Sequence, residues 1–213
     1  MPFKTRASAV RRPKQRRSRA TVAIIIEDGA RILAENGWAA FNTNSVAARA
    51  GVSVGSVYEY FADKQALIDA IADRHLLTGE KLLELASTQL SEKAQLEEIA
   101  DSLIRGFVYV HEADPRLHRV LSSEVPLSES VRHRVQLLRL GIIDAVSKAL
   151  SYHLPEPGIA AQVLVDTADA VTHRWLIEDD GALAAPDRLT TEIKKMFSAY
   201  LTGLCHGGQP CVP

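Results

Sequence analysis

Little in this 213-residue chain points to a secreted or membrane-spanning protein. It has two cysteines, Cys205 and Cys211, both close to the C-terminal end, too few and too local for a disulfide framework. No apolar run approaches the roughly 20 residues of a membrane-spanning helix. The N-terminal residues are charged and lack the apolar segment that a secretory signal needs. The expected compartment is therefore the reducing cytoplasm. Strand-like alternation and internal repeats are also missing, so the expected fold class is all-α. There is no glycine-rich phosphate loop, nucleophile elbow or paired-carboxylate signature, so no catalytic residue and no cofactor is expected. The seven histidines show no metal-ligand spacing. His111, His118 and His133 fall on different expected elements, and Cys205, His206 and Cys211 lie towards a glycine-rich tail, so no metal is expected.

What is present is ordinary for a globular chain with a real core: 46% hydrophobic and 24% charged residues. The length allows one large domain, or a small one joined to a larger one. The net charge of −1 conceals an asymmetry. Residues 1 to 20 hold Lys4, Arg6, Arg11, Arg12, Lys14, Arg16, Arg17 and Arg19 and no acid, leaving the rest of the chain acidic. Such an arm suits an anionic partner, nucleic acid or a membrane surface, or serves as a disordered solubilising tail. It carries no aromatic or leucine face beside its arginines, so membrane docking would be weak and no membrane partner is expected.

After the arm, TVAIIIEDGARILAENGW reads as a helix with Ile25, Gly29, Ile32 and Leu33 on one face. Gly29 in mid-helix costs roughly 1 kcal/mol against alanine, which points to a close approach by another helix. Gly37 is a suitable left-handed stop, and Trp38 and Phe41 close a small core. Thr43 is placed to cap a short helix with Val46, Ala47 and Ala50 inward, ended by Gly51. Ser53 is placed to cap a second, Val54 to Phe61, held down by Val52, Val57 and Phe61. Two short helices joined by a tight glycine turn make a helix-turn-helix. The side chains left facing outward are Ser53, Val54, Ser56, Tyr58, Glu59 and Tyr60. Asp63 is placed to cap a long fourth helix, and helical pattern continues over roughly 92–112, 114–122, 128–152, 157–178 and 187–204. Prolines and glycines punctuate the breaks. The expected organisation is a basic arm (1–19, disordered without DNA), a helix-turn-helix head (20–62), a larger helical domain (63–205) and a disordered tail (206–213).

These residues resemble the TetR family of transcriptional regulators. The likeness is densest from Arg16 to Leu67, where a first helix ends in AENGW and NTNSVAARAGVSVGSVYEYFADKQALI follows. Thr43, Val46–Ala47, Ala50–Gly51–Val52, Gly55–Ser56–Val57–Tyr58, Tyr60–Phe61 and Lys64 meet the family signature in register. Asn42 stands where a threonine is common, Asp28 and Gly29 where alanines are typical, and Glu59 puts a negative charge on the reading helix. Beyond this segment the resemblance is one of architecture only.

The resemblance implies a homodimeric, ligand-responsive DNA-binding regulator, commonly a repressor released from a (pseudo)palindromic double-stranded operator by a small-molecule effector. In such a reader the second short helix lies in the major groove. Thr43, Tyr58, Tyr60 and Lys64 would then position the phosphate backbone. Ser53, Val54, Ser56 and Glu59 are the candidate base readers, and Gly55 lets the backbone come close. Glu59 either accepts from a cytosine or pairs with Arg49 along the groove wall. Arg16, Arg17 and Arg19 would enter the minor groove. Dimerisation would use the last two helices through Val163, Thr167, Ala170, Val171, Ile193, Met196, Phe197 and Tyr200, unless those stripes are intramolecular core. Helix order places Phe107, His111, Leu121, Leu138, His173 and Trp175 around an effector cavity, with plain core packing as the alternative for each. The rival reading of the whole chain is a helical small-molecule-binding protein or enzyme with an incidental DNA-binding head.

Overall fold

A computed structural model describes residues 16–89, 94–178 and 186–206, and among these only helices, turns and short connections occur. The helices are α1 (Arg16–Ala40), α2 (Thr43–Arg49), α3 (Val54–Tyr60), α4 (Lys64–Gln89), α5 (Leu96–Ala113), α6 (Pro115–Ser123), α7 (Glu129–Leu150), α8 (Pro157–His173) and α9 (Pro186–His206). A five-residue π-helical turn, Arg174–Glu178, extends α8. No helix among the described residues is long and apolar enough to cross a membrane. The chain forms two units: one from the residues up to Arg74 together with Val120–Ser128, the other from His75–Arg119 and Glu129 onward.

In the first unit α1, α2, α3 and the start of α4 bury Ile25, Leu33, Phe41, Val46, Val57, Leu67, Ile68 and Ile71. Gly29 lies where Ile71 arrives from α4: a Cβ on it would sit 2.9 Å from Ile71 Cδ1. Gly37 has φ 73°, a conformation that side chains resist, and there α1 kinks before its final turn. The kink frees the Trp38 N–H, which donates to a Glu124 carboxylate oxygen at 3.0 Å. Gln65 Nε2 likewise donates to the Pro126 carbonyl at 3.2 Å, so the 120–128 segment is bonded into this unit. Its membership was not foreseen, because nothing local in the sequence ties it to helices more than fifty residues away.

The second unit has its core along α5, α7, α8 and α9, with Ile99, Ile104, Leu150, Leu164, Phe197 and Leu201 among the buried side chains. Two glycines let α4 and α7 approach closely. A Cβ on Gly79 would meet Leu138 Cδ2 at 2.9 Å, and one on Gly141 would meet Leu83 Cδ2 at 2.7 Å. Polar pairs join helices at the surface of this core: Arg139 forks onto Asp166 at 2.6 and 2.7 Å, and Lys194 reaches Asp101 at 3.1 Å.

Candidate functional site

In the helix-turn-helix the caps decide the geometry. Asn42, not Thr43, caps α2: its side-chain oxygen accepts the Ser45 N–H at 2.9 Å. The sequence pattern suggested Thr43 because either residue can cap. The structure places Thr43 one position inside, where its nearly buried hydroxyl lies 3.1 Å from the Tyr58 hydroxyl. Gly51, at φ 65°, turns the chain, and Ser53 caps α3 by accepting the Ser56 N–H at 3.0 Å. Val57 is fully buried and Phe61 nearly so, which fixes the roll of α3 about its own axis. Ser53, Val54, Gly55, Tyr58 and Glu59 are therefore exposed together, with Ser56 and Tyr60 half-buried at their margin.

The remaining sequence-selected residues of this face are placed as follows. The Tyr60 hydroxyl accepts from Ser18 Oγ at 3.3 Å, which ties α3 to the start of α1. The Lys64 ammonium lies 3.4 Å from the Trp38 ring centroid, a cation–π contact, and burial lowers its pKa. Arg49 does not pair with Glu59. Its guanidinium is bonded to Glu35 at 2.9 Å, with Asp28 at 3.7 Å, both on α1, so the groove-wall pairing considered for Glu59 does not form. Helix α1 starts at Arg16, so Arg16, Arg17 and Arg19 belong to its first turn instead of to an arm preceding it. Arginine and alanine are good helix formers, and nothing in RRSRA breaks the helix. Arg19 is exposed. The rest of the basic arm lies outside the described residues.

The second unit forms a half-open cavity of about 230 Å³ between α4, α5, α6, α7 and α8. Apolar side chains make most of its wall, among them Leu82, Leu103, Phe107, Leu138, Ile142 and Val165. Of the six residues selected by helix order, Phe107, His111 and Leu138 line it. Leu121 is buried in the first unit, and Trp175 sits on the π-helical turn against the core. His173 is not a lining residue but lies against two that are, edge-on to His111 and tilted to His118, with ring centroids at 5.8 and 5.3 Å. The polar groups that sequence reasoning missed are His75, Ser102, His118, Arg139, Asp166 and Asp169. They come from five different helices, with only Asp166 and Asp169 sharing one, so no local spacing announces the set.

Burial pushes the His118 imidazole down to about 3, and the neighbouring His111, His75 and His173 push the same way. Burial also lowers His111, against the opposite pull of the Phe107 carbonyl and Asp169. Both rings are thus neutral at physiological pH.

The residues selected for a dimer interface divide. Ile193 and Phe197 are buried in the subunit's own core against α5, so they are not free to meet a second copy. Their i, i+4 spacing looks the same whichever partner they bury against. Val163, Ala170 and Met196 are exposed, while Thr167, Val171 and Tyr200 are half-buried.

A helix-turn-helix head with an exposed reading helix, followed by an all-helical unit around a cavity, defines a DNA-binding regulator with a sensor module. Comparison with known proteins gives the family. Residues 25–71 match the model for bacterial regulatory proteins of the tetR family, and residues 95–201 match that for the tetracyclin repressor-like C-terminal domain. Similar solved structures include NalD, the secondary repressor of the MexAB-OprM multidrug efflux pump in Pseudomonas aeruginosa. NalD is 20% identical, with TM-score 0.69 over 87% of this chain and 97% of its own. FadR of Bacillus subtilis, solved with stearoyl-CoA, is 20% identical, with TM-score 0.63 over 82% and 96%. A transcriptional regulator of Rhodococcus sp. RHA1 is 20% identical, with TM-score 0.68 over 85% and 96%. No curated protein sequence matches. At these identities the structural likeness is one of fold. The chain belongs to the TetR family of transcriptional regulators.

Proposed function

We propose that this regulator is a homodimeric repressor in the cytoplasm, without enzymatic activity, whose operator affinity falls when a compact apolar effector occupies the cavity of the second unit. The observation that carries the reading is the division of labour on α3. Val57 and Phe61 are committed to the core, while Ser53, Val54, Gly55, Tyr58 and Glu59 form one uninterrupted outward face. In a major groove the serines, the valine and Glu59 address base edges, and the Tyr58 hydroxyl, already oriented by Thr43, donates to phosphate. Lys64 would have to leave the Trp38 ring to do the same, which makes it the weaker phosphate ligand of the two. Arg19 and the basic residues before it suit the adjacent minor groove. The exposed apolar residues Ile159 and Val163 of α8 and Met196 and Leu204 of α9 suit the dimer contact.

Two relatives supply the effector analogy: one represses a multidrug efflux pump and another was solved with an acyl-CoA. A volume of about 230 Å³ lies below the ~300–1,000 Å³ of drug-sized pockets, which selects a small ligand or one that enlarges the cavity. Helix α4 contributes residues to both units and is the natural lever.

An effector can shift operator affinity only through its differential affinity for the two states, typically worth about 5–150-fold. The test is a thermal-shift screen of small apolar compounds, followed by operator titration with each hit. Gly106 lines the cavity, and a Cβ there would meet no atom within 4 Å, so Gly106→Val should fill the space. The variant is expected to lose the thermal shift and the release while keeping operator binding. A compound that stabilises the wild type, loses its effect in Gly106→Val, and yet leaves operator affinity unchanged would sink the release mechanism.

A further inference from the structure

Four histidines that lie far apart in sequence meet beside the cavity: His75 from α4, His111 from α5, His118 from α6 and His173 from α8. One ring nitrogen from each of His111, His118 and His173 lies within 4.8 Å of one from each of the other two. Second, independent information comes from His111, which is 2% exposed. Its Nδ1 is 2.8 Å from the Phe107 carbonyl oxygen, which can only accept, so Nδ1 carries the proton and Nε2 keeps its lone pair. That Nε2 has no hydrogen-bond partner among the described residues, and the Asp169 carboxylate is 3.8 Å from it. A buried nitrogen left unmatched costs stability unless something else fills the place.

We propose that His111, His118 and His173 bind a divalent first-row transition metal of the Zn²⁺ type, with His75 as the outer partner that orients His118 and Asp169 as the nearby negative charge. The donor set decides the metal class. Neutral imidazoles suit Zn²⁺, Co²⁺, Ni²⁺ and Cu²⁺, whereas Mg²⁺ and Ca²⁺ require oxygen ligands. Histidine ligands usually hand their second nitrogen to a carbonyl or other acceptor, and the Phe107 carbonyl does this for His111. The 3.0 Å contact between His75 Nε2 and His118 Nδ1 gives His118 the same support, leaving its Nε2 lone pair available when His118 is the donor. Bonds of about 2.0–2.1 Å in a tetrahedral site place donors about 3.3 Å apart, so the rings must close by up to about 1.5 Å, which side-chain rotation supplies. Three protein ligands leave a fourth position, as open metal sites do.

This site goes beyond the repressor reading and is tested without DNA. Full-length protein free of any polyhistidine tag is stripped with chelator and titrated with Co²⁺, then with Zn²⁺. The expected result is one Co²⁺ per chain with the visible bands of four-coordinate, nitrogen-ligated cobalt, displaced by Zn²⁺, which also raises the melting temperature. His118→Ala and His173→Ala lose the bands, and His75→Ala binds about 10–100-fold more weakly. His133→Ala, altered at an exposed position on α7, and His206→Ala, altered at the last residue of α9, bind as wild type. Helical circular dichroism checks that each variant is folded. Wild-type protein that takes up no Co²⁺ overturns the assignment whatever the variants do. So does a spectrum that survives in His118→Ala and His173→Ala, or one that vanishes in His206→Ala. Operator binding by the same samples, measured separately, keeps failure of the metal site distinct from failure of the repressor reading.

Discussion

Gly37 shows how a single residue positions the head. Its φ of 73° kinks α1 and turns the Trp38 N–H towards Glu124, and Trp38 in turn carries the Lys64 ammonium on its ring. An added Cβ would be strained by the backbone angle and would sit 3.0 Å from the Glu124 carboxylate. Gly37→Ala is expected to destabilise the first unit by about 1–2 kcal/mol in chemical denaturation. A variant as stable as wild type would mean that the kink is not required. Asn42 can be argued with equal economy. It satisfies one of the free N–H groups of α2, so Asn42→Ala should cost about 0.5–2 kcal/mol, whereas Asn42→Asp or Asn42→Ser should cost much less. Equal losses in all three would point to a role other than capping.

At the scale of elements, the helices were legible because periodicity and punctuation agreed. Pro115, Pro157 and Pro186 each stand at the first position of a helix, and Gly51 sits in the turn between α2 and α3. The outward face of α3 could be read for the same reason: Val57 and Phe61 leave its other side chains no core to enter. Two features could not be read. The π-helical turn after His173 packs Trp175 and Leu176 against the core, and no local residue pattern announces it. The histidine cluster draws one ring from each of four helices, so its ligands have no spacing along the chain. The cavity fared in between, since helix order indicated which segments meet but not which side of each faces inward. The approach of α4 and α7 also rests on tertiary fit. Gly141→Val would drive a side chain into Leu83 and is expected to cost about 1–3 kcal/mol, read as a lower urea midpoint with unchanged slope. An unchanged midpoint would show that the helices can separate without loss.

For the whole molecule, the regulator reading requires two heads, because a seven-residue reading helix offers little contact to a duplex. Val163 of α8 and Met196 of α9 are exposed apolar residues, whereas Ile193 and Phe197 already belong to the subunit core. The double substitution Val163→Glu and Met196→Glu should therefore give a folded monomer in sedimentation velocity, with operator affinity reduced at least tenfold. A dimer that persists would move the interface to another face, such as the exposed Leu137 and Leu140 of α7. Phe197→Ala should instead unfold or loosen the subunit, at a cost of about 3–5 kcal/mol.

The central claim, that α3 reads a DNA sequence, is tested most directly by fluorescence anisotropy. The duplex would come from genomic fragments selected by the protein and would be compared with its scrambled counterpart at several salt concentrations. The account predicts tight, salt-sensitive binding that favours the selected sequence. Tyr58→Phe should weaken binding to both duplexes alike with the salt dependence unchanged, because a neutral hydroxyl displaces no counterions, and Glu59→Ala should change which sequence is preferred. Equal, weak binding to both duplexes, indifferent to Tyr58 and Glu59, would contradict it.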